Sequence, residues 1–206
     1  MGLGKTWDSR IANLLVAPLR DTAVHPNHLT TVGLLVGLAG AVLFARGDRA
    51  SANLGALLYV VSQVVDHADG ELARMTGKTS EFGHSYDRAC DLAVKLSTFV
   101  GMGVGLRHGS LGAMAPFLGV AAGIALVTIF RSRSELARRR GRDVAFRQPS
   151  AGGFEIEDVL YLVGPVTWAG GLRPFVVAAG IGAPAFAAFT VAQLLRVRRE
   201  DAGGDA

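Results

Sequence analysis

Two stretches of this chain run for 22 residues without a charge, Gly109 to Phe130 and Pro174 to Leu195. As α-helix, each is long enough to cross a hydrocarbon layer of about 30 Å. Leu29 to Ala45 is a third charge-free run, slightly shorter, with His28 and Arg46 placed to sit at the two interfaces. Further apolar segments carry their charges at one end. The helix from about Ala52 is apolar through Val65 and then reads Asp66, Asp69, Glu71, Arg74. The next, from about Gly83, mirrors it, with Asp87, Arg88, Asp91 and Lys95 first and an apolar stretch to Leu106 after. The Gly109–Phe130 run predicts a span from Leu111 that continues as helix through Arg140. A fifth span is expected over Glu157–Ala169, interrupted by Gly164-Pro165, and a sixth ends near Arg196.

Ahead of the spans, Trp7, Ile11, Leu14, Leu15 and Leu19 recur at helical spacing, with Asp8, Arg10, Arg20 and Asp21 on other faces. That pattern predicts an amphipathic helix over 6–22, lying in the membrane interface. An ordinary surface helix is the plainer reading. The pattern therefore predicts an all-α, polytopic membrane bundle of six transmembrane helices preceded by an interfacial helix. Residues 1–28 form the interfacial helix and its junction, 29–196 the six-span domain, and 197–206 a polar tail, expected to be disordered from Arg198. No cleavable signal peptide is read at the start, and the first span is expected to act as its own insertion signal.

Charge orients this bundle. Six spans put both termini on one face, and fifteen of the 21 Lys and Arg residues fall on that side. The opposite turns hold only Arg46, Arg49, Arg107 and Arg173. Positive charge collects on the cytoplasmic side, so the expected location is a bacterial-type inner membrane with the charged face in the cytoplasm. The sequence pI of about 9.7 then reflects topology and anionic headgroups, and no nucleic-acid partner is expected. The 27 glycines suit close helix packing in a bilayer. The single cysteine, Cys90, excludes an internal disulfide and a cysteine-based zinc site, and reads as a small buried filler.

The chemistry concentrates in Asp66-His-Ala-Asp69-Gly70-Glu-Leu-Ala73-Arg74 and Gly83-His-Ser-Tyr-Asp87-Arg-Ala-Cys-Asp91. Asp66 and Asp69 share one helix face, and Asp87 and Asp91 share a face of the next. A short loop joins the two helices, which predicts antiparallel neighbours with four carboxylates aimed into one space. Ionisable groups within spans are costly and usually functional. Four acids together repel unless cations neutralise them, and hard divalent ions with oxygen ligands, Mg²⁺ or Mn²⁺, fit. Such ions suit a pyrophosphate substrate. Gly70, Ala73 and Gly83 are small enough for a nucleotide to approach the backbone, and Arg74 can pair with a phosphate. The competing account is an intramembrane salt-bridge cluster with Arg74, Arg88 and Lys95, which leaves the spacing unexplained.

This spacing resembles the signature of the CDP-alcohol phosphotransferase family: D-x-x-D-G-x-x-A-R, eight residues, G, three residues, D, three residues, D. All eight specified positions are present, at Asp66, Asp69, Gly70, Ala73, Arg74, Gly83, Asp87 and Asp91. The Pro26-Asn27-x-Leu29-Thr30 junction and the six-span layout extend the resemblance over most of the chain. It implies that Asp66, Asp69 and Asp87 ligate a pair of divalent cations, Mg²⁺ or Mn²⁺. Asp91 would contribute to that site and act as general base. Gly70, Ala73 and Gly83 would line a cytidine pocket, with Arg74 on a donor phosphate. The implied activity is metal-dependent transfer of a phosphatidyl group from CDP-diacylglycerol to an alcohol acceptor, with CMP released, in phospholipid biosynthesis. A homodimer is also implied.

The alternative donor is a CDP-linked polar alcohol such as CDP-inositol, passing its group to a lipid or polyol. The wording Asp69-Gly70-Glu71-Leu72-Ala73-Arg74 and Thr22-x-x-His25-Pro26-Asn27 resembles that second group. A rival of another class is a non-catalytic metal-binding membrane protein. His67, His84 and Tyr86 sit at variable positions beside the site and read foremost as packing or hydrogen-bonding residues. Arg131, Arg133, Arg138 to Arg140, Arg142 and Arg147 suit either a phosphorylated acceptor or lipid headgroups. The acidic group Glu155, Glu157 and Asp158 instead favours a neutral or amine-bearing acceptor, or salt bridges to those arginines.

Overall fold

A computed structural model describes residues 16–19, 22, 24–141, 160 and 162–203. Every element among them is helical, with no strand. Six α-helices follow in order: α1 (Pro26–Arg46), α2 (Arg49–Thr76), α3 (Glu81–Gly105), α4 (Met114–Arg140), α5 (Val163–Trp168) and α6 (Leu172–Gly203). Single 3₁₀ turns stand at Ala17–Leu19 and Leu106–His108.

The helix ends follow local chemistry. Pro26 occupies the first turn of α1, where its missing N–H costs nothing. His25 caps that turn, its side chain accepting from the Asn27 N–H, and the His28 ring accepts from the His25 N–H in return. Gly47 ends α1 at φ 82°, in the left-handed region. Asp48 caps α2 by accepting from Ser51 N–H at 2.8 Å. Ser80 caps α3 by accepting from Gly83 N–H at 2.9 Å.

Among the described residues, four helices are long and apolar enough to cross a membrane: Pro26–Arg46, Glu81–His108, Met114–Arg140 and Leu172–Ala202. Large apolar side chains lie exposed along the outer faces, among them Leu35, Val42, Phe117, Ile124 and Ile181. Such faces need lipid rather than water around them, and the chain is a multi-pass membrane protein. The inner faces pack around Phe44, Tyr59, Phe99, Met102, Leu126 and Val176.

Glycines set the helix spacing. On α3, Gly101 and Gly105 face α1 so closely that a Cβ on either would collide with the backbone carbonyls of Ala41 and Phe44. Gly103, on another face, abuts the Ala115 carbonyl of α4. Gly37 of α1 leaves room for both Val94 of α3 and Ser62 of α2.

That wedge corrects one expectation. α2 and α3, expected to pack along each other, barely touch; α1 packs extensively against both. The glycine face of α1 lets it sink between them, and a cleft opens between the acidic ends of α2 and α3. A second expectation also fails. The tail, read as disordered from Arg198, continues α6 as helix to Gly203. Asp201 accepts from Arg139 at 2.9 Å and Glu200 from Arg140 at 2.9 Å, so the arginine-rich end of α4 holds it. Of the expected interfacial helix, residues 6–15, 20 and 21 lie outside the described residues. Val16 is buried against Ala68 and Leu72 of α2. Arg142, Arg147, Glu155, Glu157 and Asp158 also lie outside.

Candidate functional site

The second half of α2 carries two faces at helical spacing. Ala68, Leu72 and Met75 pack against Val16 and Val24, which turns Asp69, Gly70, Ala73 and Arg74 towards the cleft. That cleft has a volume of about 200 Å³. Its other wall comes from the start of α3, with Gly83, His84 and Asp87, and its floor from Pro26, Asn27 and Thr30 of α1. Six of the eight motif positions therefore line one space.

Asp66, Asp69 and Asp87 converge at the edge of this cleft. One carboxylate oxygen from each lies within 4.8 Å of the others. Of the three cations that a salt-bridge cluster would need, Arg74 and Arg88 are engaged elsewhere, and Lys95 holds Asp91, the aspartate outside the triad. Arg74 pairs with Glu71 at 3.1 Å, Lys95 with Asp91 at 2.5 Å, and Arg88 with the His84 ring at 2.7 Å. The Thr30 hydroxyl donates to Asp69 Oδ2 at 2.5 Å and fixes that carboxylate. Three converging hard oxygen donors, one already oriented by a hydroxyl, suit a divalent metal ion.

Asp91 stands outside the triad. Its Oδ2 accepts from Lys95 Nζ, and its Oδ1 is buried with no hydrogen-bond partner. It shares a narrow crevice with Asp66 and also borders a second cavity of about 580 Å³. Arg88, Arg131, Arg138 and Arg198 line that second cavity, with Phe130 and Glu135. The two cavities flank the turn of α3 between Asp87 and Asp91.

The neighbours of the motif have ordinary roles. His67 Nδ1 meets the Gln63 carbonyl at 2.8 Å, and the Tyr86 hydroxyl pairs with Thr31 at 2.9 Å. Cys90 is free and buried. Sequence reasoning missed the support given by Thr30 and Ser80. The Thr30 contact spans 39 positions and left no local signal. Ser80, three residues ahead of Gly83, is a recognisable cap.

These features define a helical membrane protein with a carboxylate triad at the edge of one cavity and a fourth carboxylate on a second. Residues 23–151 match the family model for CDP-alcohol phosphatidyltransferase, and the chain belongs to that family. It is 32% identical over 119 residues to an archaetidylinositol phosphate synthase of Pyrococcus horikoshii, a match covering 58% of this chain and 60% of that protein. It is 33% identical over 66 residues to a CDP-diacylglycerol–glycerol-3-phosphate 3-phosphatidyltransferase of Rickettsia typhi, covering 32% of this chain and 37% of that one. The matches thus span less than two thirds of these curated relatives. The fold resembles the crystal structure of Mycobacterium tuberculosis phosphatidylinositol phosphate synthase with CDP-DAG bound. There the TM-score is 0.64, with 18% identity over 93% of this chain and 92% of that one.

Proposed function

We propose that this protein transfers a phosphatidyl group from CDP-diacylglycerol to an alcohol that itself carries a phosphate, releasing CMP. The observation that carries the reading is the pair of cavities on either side of the carboxylates, with Asp69 and Asp87 lining one and Asp91 the other. One is lined by small motif residues and suits a cytidine nucleotide. The other is lined by four arginines and suits a phosphorylated acceptor. Membership of the family and the names of the relatives support the donor and the reaction class.

Asp66, Asp69 and Asp87 would hold the divalent metal, Mg²⁺ or Mn²⁺, in a two-ion site. When bound it supplies positive charge to the pyrophosphate oxygens. Gly70, Ala73 and Gly83 keep the cleft open to the nucleotide, and Arg74, 64% exposed, lies along it to meet a donor phosphate. Asp91 takes the proton of the acceptor hydroxyl at Oδ1, and it adds its charge to the crevice it shares with Asp66. The acceptor oxygen bonds to the phosphorus remote from cytidine, and the bond from that phosphorus to CMP breaks.

Six crossings follow if the apolar first half of α2 and the segment ending in α5 join the four long apolar helices. With the arginine-rich ends of α4 and α6 on the cytoplasmic side, both cavities face the cytoplasm of a bacterial-type inner membrane. A homodimer completes the reading.

The test is CMP release by the purified protein in detergent with Mn²⁺ or Mg²⁺. CDP-diacylglycerol is offered with glycerol 3-phosphate, inositol phosphate, inositol and serine. The expected result is release only with the phosphorylated acceptors, lost with a chelator and in Asp91→Asn. Release with inositol or serine alone overturns the acceptor assignment. Inertness towards CDP-diacylglycerol with turnover of CDP-inositol transfers the role to the polar donor. Silence with both donors, from protein that binds metal, leaves a non-catalytic metal-binding protein.

A further inference from the structure

Lys95 is a buried lysine held against a carboxylate and an aromatic face. It is 7% exposed, and a buried ammonium is costly unless paired. Its Nζ lies 2.5 Å from Asp91 Oδ2, one helical turn back on α3. On its other side the ring of Phe130, from α4, presents its face with the centroid 4.7 Å from Nζ. Phe130 and Asp91 both line the arginine-bordered cavity. The ammonium thus occupies one oxygen of Asp91 and leaves Oδ1 as the buried, unpartnered acceptor.

A carboxylate held by one oxygen cannot swing freely about its last torsion. A proton acceptor must stand within hydrogen-bond reach of the hydroxyl it serves, so fixing that torsion matters for rate. We propose that Lys95 is a positioning residue, which, braced by the Phe130 ring, aims Asp91 Oδ1 at the acceptor hydroxyl. The inference rests on the reading of Asp91 as the proton acceptor. Phe130 then ties the aim of the base on α3 to the wall that α4 lends the acceptor cavity.

The experiment measures kcat, donor KM and half-activating Mn²⁺ for Lys95→Met, Lys95→Arg and Phe130→Leu, alongside Asp91→Asn. Size-exclusion profile and melting temperature in detergent report folding. A misplacement of about 1 Å costs on the order of 100-fold in rate, so kcat in Lys95→Met is expected to fall about that far. Donor KM should stay within about twofold, because no residue of the nucleotide cleft is touched, and half-activating Mn²⁺ should not rise, because the charge lost beside the carboxylates is positive. Lys95→Arg, which keeps a cation, should recover most of the rate, and Phe130→Leu should lose about tenfold, a fraction of the same positioning effect.

A folded Lys95→Met with unchanged kcat overturns the proposal, as does a loss that appears wholly in the Mn²⁺ dependence. If Lys95→Met does not fold, an unchanged kcat in Phe130→Leu overturns it equally. Activity in Asp91→Asn sinks the reading of the base and this inference with it. An inactive Asp91→Asn beside a fully active Lys95→Met sinks this inference alone.

Discussion

Gly70 separates what the fold requires from what a ligand requires. A Cβ built at that position meets only the Arg74 guanidinium, at 3.7 Å, an ordinary van der Waals distance. Helix propensity favours alanine over glycine by about 1 kcal/mol. The protein therefore has no packing reason to keep glycine there, and the open wall of the cleft supplies one. Gly70→Ala is expected to leave the melting temperature unchanged or slightly raised. The KM for the CDP-linked donor should rise about tenfold, as expected for a lost close approach worth ~1.4 kcal/mol. Steady-state kinetics with a thermal melt checks both. Gly83 gives no such clean experiment, because a Cβ there would press on Ser80 Oγ and Asn27 Oδ1 at 3.0 and 3.2 Å. Thr30 shows the limit of reading residues one at a time. Its hydroxyl orients Asp69 across 39 positions, and nothing local to it marks that role.

At the scale of elements, the Gly101-Met-Gly-Val-Gly105 end of α3 serves two neighbours at once. Gly101 and Gly105, four apart, bring α1 to backbone contact, while Gly103 brings α4. Gly101→Ala would force α1 and α3 apart, because the obstacle is the Ala41 carbonyl and not a flexible side chain. The expected cost is about 1–3 kcal/mol, visible as a lower melting temperature in detergent. Gly182→Ala, with nothing within 4 Å of its Cβ, should show none. The clasp between α4 and α6 is a different kind of contact. Arg139, Arg140, Glu200 and Asp201 are all at least a third exposed, and such pairs contribute little to stability. They place the last turns of α6 beside the end of α4, which with Leu194 and Arg198 of α6 lines the arginine-bordered cavity.

The whole molecule explains why the metal matters beyond chemistry. Asp66 and Asp69 belong to α2 and Asp87 to α3, and these helices barely touch. A divalent ion would be the bridge across the cleft. Anything that binds the folded state alone stabilises it, by about 2.7 kcal/mol at a hundredfold excess over Kd. Mn²⁺ is therefore expected to raise the melting temperature and a chelator to reverse it. Asp87→Asn should abolish most of the shift. Asp91→Asn, outside the triad and held by Lys95, should keep most of it while losing CMP release. Equal loss of the shift in both variants would place Asp91 among the ligands.

The sequence by itself determined the helical membrane class and the family, and it marked the residues of the candidate site. Charge-free runs of membrane length can only be satisfied as helices in lipid, and carboxylates at spacings of three and four must share helix faces. The caps His25, Asp48 and Ser80 have partners within a turn, so their signal is local even though the sequence reading passed over it. Only the tertiary structure decided which helices touch. α1 slides between α2 and α3 because its glycine face matches theirs, a fact about two surfaces rather than one pattern. That placement divides the four aspartates into a triad and a lysine-bound fourth. It also recruits Thr30, Phe130 and the α6 end, whose partners lie on other helices and leave no periodicity in the chain.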